Sequence, residues 1–221
     1  MGKDVKARSR RRYASPQREG QAATTRRAVL TAARDLFVQQ GYASTSVGQI
    51  AARAGVAVDT VYASAGRKPA LLREVVETAL SGTDHAIPAE EREYVRSIRA
   101  AGQAVEKVRI YASAVTEIGQ RMAPIHRALR EAAATDPDCA TLREQISARR
   151  AANMRLFAAD LHSTGALRAD RSDDEVADIL WSMNAAEYYA LLVSERGWSP
   201  ARFQRWLTDA WTRALLVDEH S

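Results

Sequence analysis

Residues 45–62 run Thr-Ser-Val-Gly-Gln-Ile-Ala-Ala-Arg-Ala-Gly-Val-Ala-Val-Asp-Thr-Val-Tyr and set one glycine between two short helical stripes. Val47, Ile50, Ala51 and Ala54 recur at three- and four-residue intervals, the period of one helix face. Thr45 or Ser46 is available as N-cap, and Ser46 with Gln49 has capping-box spacing. Gly55 lets the chain turn at positive φ without the clash a Cβ would bring. Val56, Val58, Val61 and Tyr62 fill the turn and the second helix. A helix, a glycine turn and a second short helix form the pattern of a helix-turn-helix, whose second helix enters the DNA major groove.

The helical period continues on both sides. From Thr25, the residues Ala28, Val29, Ala32, Ala33, Leu36 and Phe37 share a face, and Gly41 closes that helix as a left-handed cap. Lys68-Pro69 opens another helix, with proline in its first turn. Helices are expected near 69–80, 89–101, 103–134 with a break at Pro124, 138–163, 172–195 and 199–217. Ser172-Asp-Asp-Glu175 is a capping box, and Gly197-Trp-Ser199-Pro200 joins a terminating glycine to a serine cap. No strand-length alternation competes, so the fold is expected to be all-α. It divides into a basic arm (1–24), a three-helix DNA-binding unit (25–72) and a helical effector-binding and dimerisation unit (73–221).

Charge supports the same division. Residues 1–72 hold thirteen Lys/Arg against four Asp/Glu, whereas the remainder holds nineteen against twenty-three. A basic front on a mildly acidic back suits a protein that meets a polyanion at one end only. Lys3, Lys6, Arg8, Arg10, Arg11, Arg12 and Arg18 stand among few apolar residues, so the arm is expected to lack structure when free. It is either a solubilising tail or an arm that follows phosphates on bound DNA. No apolar run is long enough for a transmembrane helix or a signal peptide, so no membrane partner is expected. Cys139 is the lone cysteine, which rules out an internal disulfide and fits a reducing cytoplasm.

Thr45, Ser46, Thr60, Tyr62 and Lys68 offer hydroxyl and ammonium donors of the kind that contact phosphates and fix register. Ala57, Val58 and Asp59 stand at the start of the second helix, where base edges are met. Ala57 or Val58 suits a thymine methyl, and Asp59 suits a cytosine amine; Asp59 equally complements the helix dipole. Arg53 is a further candidate for a phosphate.

With these residues the chain closely resembles the TetR family of transcriptional regulators. The matching set is Ala33, Leu36 and Phe37, then Gly41-Tyr42, Thr45, Ile50-Ala51, Ala54-Gly55-Val56, Thr60, Val61-Tyr62 and Lys68 followed by Leu71. The resemblance implies a homodimer built from the last two helices of each subunit, binding a palindromic operator in double-stranded DNA. It also implies a C-terminal pocket whose small-molecule occupant weakens DNA binding, most often in a repressor. Two positions depart from the family pattern. Ala57 replaces a Ser or Thr cap, and Ala65 replaces an aromatic residue.

In the final helices, Phe203, Trp206, Leu207, Ala210, Trp211, Ala214 and Leu215 form a broad apolar stripe. Segment 172–195 is apolar on more than one side, which favours a helix facing a partner chain as well as its own core. Candidates to line an effector cavity are Tyr111, Met122, His126, Met154, Phe157, Trp181, Asn184, Tyr188 and Tyr189, with Glu117, Glu187 or Arg121 adding charge. Taken singly, each is also an ordinary core residue. As a group they suit an apolar or aromatic ligand. His85, His126, His162 and His220 are scattered, and no phosphate loop or nucleophile elbow occurs, so neither enzymatic activity nor a metal or cofactor is expected. The function expected is a DNA-binding regulator released by a small ligand. The alternative is a regulator of the same fold without an effector, controlled by a protein partner or by abundance.

Overall fold

The computed structural model describes residues 16–217, all in helices and their connections. Residues 1–15 of the expected arm lie outside them. Helix α1 spans Pro16–Gln40, α2 Val47–Ala54, α3 Val58–Ala65 and α4 Lys68–Ser81. A 3₁₀ turn at Ala89–Glu91 precedes α5 (Glu93–Ala100), α6 (Ala104–Thr135) and α7 (Pro137–His162). Helices α8 (Asp173–Met183), α9 (Ala186–Tyr189, continuing as a π-helical stretch Ala190–Glu195) and α10 (Pro200–Leu215) complete the chain. No strand forms among the described residues, and one isolated bridge joins Leu167 to Leu216.

Several expected boundaries move, each for a local reason. Helix α1 begins nine residues before Thr25, so residues 16–24 are helical rather than an unstructured arm. Gln, Arg, Glu and Ala dominate that stretch, and their propensity extends a helix already anchored further on. Segment 89–101 divides at Arg92, whose extended backbone separates the 3₁₀ turn from α5. Helix α6 runs unbroken through Pro124. Pro124 and Gln120 are both exposed, so the carbonyl that loses its helical partner faces water. Segment 172–195 is not one helix. It stops at Asn184 and restarts after Ala185, whose ψ of 143° is extended. The apolar residues on several sides of this segment therefore belong to two helices with different facing directions.

Two apolar cores result. The first joins α1–α4 to the C-terminal half of α6 and the start of α7, from Val29 to Leu142. The expected boundary at 72/73 falls inside α4, whose Leu71, Leu72, Val75 and Val76 all enter this core. The second gathers the N-terminal half of α6 with α7, α8 and α10 around Phe203, Leu207, Trp211 and Leu215. Lys107 is buried beside it, its ammonium donating to Ile98 O and Asp160 Oδ2, each at 2.8 Å. Helices α6 and α9 pack closely because position 119 is glycine. A Cβ there would stand 2.6 Å from Tyr189 Cγ. Alanine improves helix propensity by about 1 kcal/mol, but overpacking at such a contact costs about 1–3 kcal/mol. Gly119→Ala should therefore lower the urea midpoint; an unchanged or raised midpoint would show that Tyr189 moves aside freely.

Candidate functional site

The helix-turn-helix is built as its residues predict. Ser46 accepts from Gln49 N–H while the Gln49 side chain accepts from Ser46 N–H, a complete capping box. Gly41, Gly55 and the α3 cap Gly66 have φ of 84°, 70° and 77°. Behind α3, Val61 and Ala65 are buried, and Ala65 supplies no aromatic contact to the loop that follows. Its outer positions Ala57, Val58, Asp59 and Tyr62 are exposed, and Thr60 is half-buried. Ala57 caps α3 without a side-chain hydrogen bond, so no side chain satisfies the first amides of that helix. Ser46, at the N-terminus of α2, is exposed as well.

Three expected donors are placed differently. Thr45 is buried, and its hydroxyl donates to Gly41 O at 2.8 Å, so it braces the turn and is withdrawn from solvent. Arg53 reaches back to Gln39 and Asp35 on α1. The Lys68 ammonium lies 4.1 Å above the Tyr42 ring, half-buried, and desolvation lowers its pKa. Arg67 was not singled out from sequence. It is exposed at the start of α4, next to Gly66, and has the position expected of a phosphate contact.

The α1–α2 turn is clasped by the end of α6. Glu131 accepts from Tyr42 N–H at 3.2 Å and from Ala43 N–H at 2.9 Å, one bond to each carboxylate oxygen. The Tyr42 hydroxyl donates to Asp136 Oδ2 at 2.9 Å. Asp136 in turn caps α7 through its other oxygen. Burial, with Cys139 and Asp136 adding to it, raises the Tyr42 phenol far above its ordinary pKa, so it remains a donor.

A cavity of about 830 Å³ opens between α6, α7 and α8. Six expected residues line it: Tyr111, Met122, His126, Met154, Trp181 and Asn184. Two do not. Phe157 packs against Tyr111 at 4.8 Å in the second core, and Tyr188 turns to α10, where its hydroxyl accepts from Trp206 Nε1 at 2.7 Å. Tyr189 faces Gly119 and Phe203. Of the charged candidates, Glu187 reaches the cavity, Glu117 stands outside it, and Arg121 is bonded to Ala79 O on another face. Sequence reading missed the lining cations Arg92, Arg143, Arg149 and Arg150, of which Arg150 lies 4.5 Å over Trp181. Arg150 sits one helical turn before Met154 and so shares its face, a spacing legible in the sequence.

Tyr111 connects the cavity to the core. It stacks on Trp211 at 5.4 Å and accepts from Asn184 Nδ2 at 2.7 Å, so the break after α8 seats an amide on this phenol.

Residues 29–75 match the family model described as bacterial regulatory proteins, tetR family. No curated protein matches the chain. Solved structures agree along most of its length. The SmeT–triclosan complex is 18% identical, covers 88% of this chain and 93% of its own, and has a TM-score of 0.68. NalD, the secondary repressor of the MexAB-OprM multidrug efflux pump in Pseudomonas aeruginosa, is 20% identical over 88% and 97%, at 0.64. A transcriptional regulator from Saccharomonospora viridis in complex with choline is 18% identical over 87% and 98%, also at 0.64. The chain therefore has the fold of these regulators. None of its described helices is long and apolar enough to cross a membrane.

Two predictions follow from this geometry. Tyr42→Phe removes a bond to a carboxylate, a class of bond worth about 1.5–3 kcal/mol. Chemical denaturation should show a loss of about that size, and no loss would mean that Asp136 does not hold the turn. His126 is held below the ordinary imidazole pKa by desolvation. Arg130 on its own helix and Arg143 and Arg150 on α7 act the same way, and Glu187 at 3.4 Å opposes them. The unfolded chain then takes the proton near pH 6.5 while the folded chain resists it. His126 thus contributes stability above pH 6.5 that is lost as pH falls toward its folded value. The melting temperature of His126→Gln should fall less than that of the parent between pH 7.5 and 5.5; parallel curves would contradict this.

Proposed function

We propose that this chain, a TetR-family regulator by its reading domain and its fold, binds a palindromic operator as a homodimer and represses transcription until a small molecule fills the α6–α7–α8 cavity. The observation that carries the reading is the exposed row Ala57–Val58–Asp59 at the start of α3, set on a buried core and flanked by Ser46, Thr60, Tyr62 and Arg67. Small side chains meet base edges there, and the flanking donors meet phosphates. The basic bias of residues 1–72 supplies the attraction.

Dimerisation through α8–α9 and α10 is supported by apolar side chains that the monomer leaves uncovered. Leu191 is 48% and Trp206 41% exposed, with Trp198 edge-on to Trp206. Two-fold pairing on this face would present two α3 helices to half-sites one DNA turn apart, about 34–36 Å. The cavity favours an effector-controlled regulator over one governed by abundance. Among proteins of this fold, SmeT is seen with triclosan and NalD is a repressor.

The test is a gel shift on DNA selected by the protein from a random pool. Thr60→Ala and Tyr62→Phe should each weaken binding to all sequences by about three- to tenfold, the loss of one hydrogen bond. Arg67→Ala should reduce the slope of log K against log salt by about 0.9. Asp59→Asn should change the preferred sequence and leave the slope alone. If Thr60→Ala, Tyr62→Phe and Arg67→Ala all bind as the parent does, α3 does not read DNA.

A further inference from the structure

Six buried side-chain polar atoms among the described residues have no hydrogen-bond partner, and four belong to residues lining the α6–α7–α8 cavity: Arg150 Nε, Trp181 Nε1, His126 Nε2 and Asn184 Oδ1. Buried polar groups in folded proteins are nearly always bonded, so such a concentration marks a wall shaped for a polar group. The four atoms differ in what they accept. Arg150 Nε and Trp181 Nε1 are donors only, and the guanidinium carbon stands 4.5 Å from the indole centroid, so the two residues share one part of the cavity wall. His126 and Asn184 offer further polar contacts on neighbouring helices.

Charge then decides the sign of the ligand. Arg149, next in sequence, is neutralised by Glu77 at 2.6 Å. Arg150 has no ion pair among the described residues, although burial works against its charge. Glu187 favours that charge only from a distance, and its own contact is with His126, at 3.4 Å. A half-buried guanidinium that lacks a carboxylate, beside a second unsatisfied donor, is half of a charge-assisted pair.

We infer that the ligand of this cavity is an organic acid, its carboxylate seated on Arg150 and Trp181 and its apolar body lying along Val115, Ile118 and Met122. The volume of about 830 Å³ suits a body of two fused rings or a medium-length chain. The inference rests on the effector reading proposed above and adds the chemical class of the effector. It is narrower than an apolar or aromatic ligand, because neutral and cationic compounds of the same shape leave Arg150 uncompensated.

Isothermal titration of the full chain with 2-naphthoate, its neutral amide and a naphthylmethyl-trimethylammonium ion tests the sign. Decanoate and decanamide supply a second body. In at least one series the carboxylate should bind about tenfold or more tightly than its neutral partner, and the ammonium more weakly than either naphthyl compound. Arg150→Gln should remove most of that preference and leave the amide within about twofold. Trp181→Phe keeps the ring, removes only the N–H, and should weaken the carboxylate by about three- to fivefold. It decides the matter if Arg150→Gln does not fold. A neutral or cationic probe binding as tightly as the carboxylate, no binding by any probe, or a preference that survives Trp181→Phe and folded Arg150→Gln each overturns the inference. DNA binding by the parent protein, measured in parallel, separates the two readings. Carboxylate preference without DNA binding removes the regulator reading alone, and DNA binding without the preference removes this one alone.

Discussion

The position of the reading helix depends on one carboxylate. Glu131 uses both oxygens to hold the Tyr42 and Ala43 amides, at the point where α1 gives way to α2. Gly41 is needed there twice. Its φ of 84° is a conformation that side chains resist, and a Cβ would stand 2.5 Å from Glu131 Oε2. The tyrosine that follows is then fixed at three points: its amide on Glu131, its hydroxyl on Asp136 and its ring beneath Lys68. These contacts refer the orientation of α2 and α3 to the C-terminal end of α6 rather than to the helix-turn-helix alone.

Helix α6 gives that arrangement its reach. Its 32 residues extend about 48 Å, its first half in the second core and its second half in the first. Met122 and His126 face the cavity from the middle of the same helix, and Glu131 lies five residues beyond His126, about 7.5 Å along the axis. A packed helix moves as a unit because interiors are dense. Cavity and clasp thus share one rigid element, the physical minimum for a ligand to be felt at the turn.

Helix identity and the helix-turn-helix were legible because they rest on local signals. Ser46 with Gln49 and Ser172 with Glu175 both form the capping boxes their spacing implies. What escaped was decided by partners and exposure that only the fold supplies. Thr45 carries a donor as the sequence says, but the nearby Gly41 carbonyl claims it. Asn184, where α8 stops, bonds the Tyr111 phenol, 73 residues earlier. Pro124 fails to break α6 because the carbonyl it orphans faces water, and exposure is not written in the residue itself. Tyr188 has the same composition signal as Tyr111, yet points to Trp206 rather than the cavity.

The cavity shows the same limit in chemical form. Its aromatic and sulfur-bearing walls suggest an apolar guest when residues are counted by type. Counting unsatisfied atoms gives a different answer, because an apolar guest would leave the Arg150 and Trp181 donors as they are. Arg149 and Arg150 stand side by side in the sequence. The fold separates their partners, pairing Arg149 with Glu77 and setting Arg150 over an indole. Selectivity in a site of this kind comes less from the apolar walls, which many molecules satisfy, than from the cost of leaving that one cation alone. The wall residues then set the size of the guest, and Arg150 sets its charge.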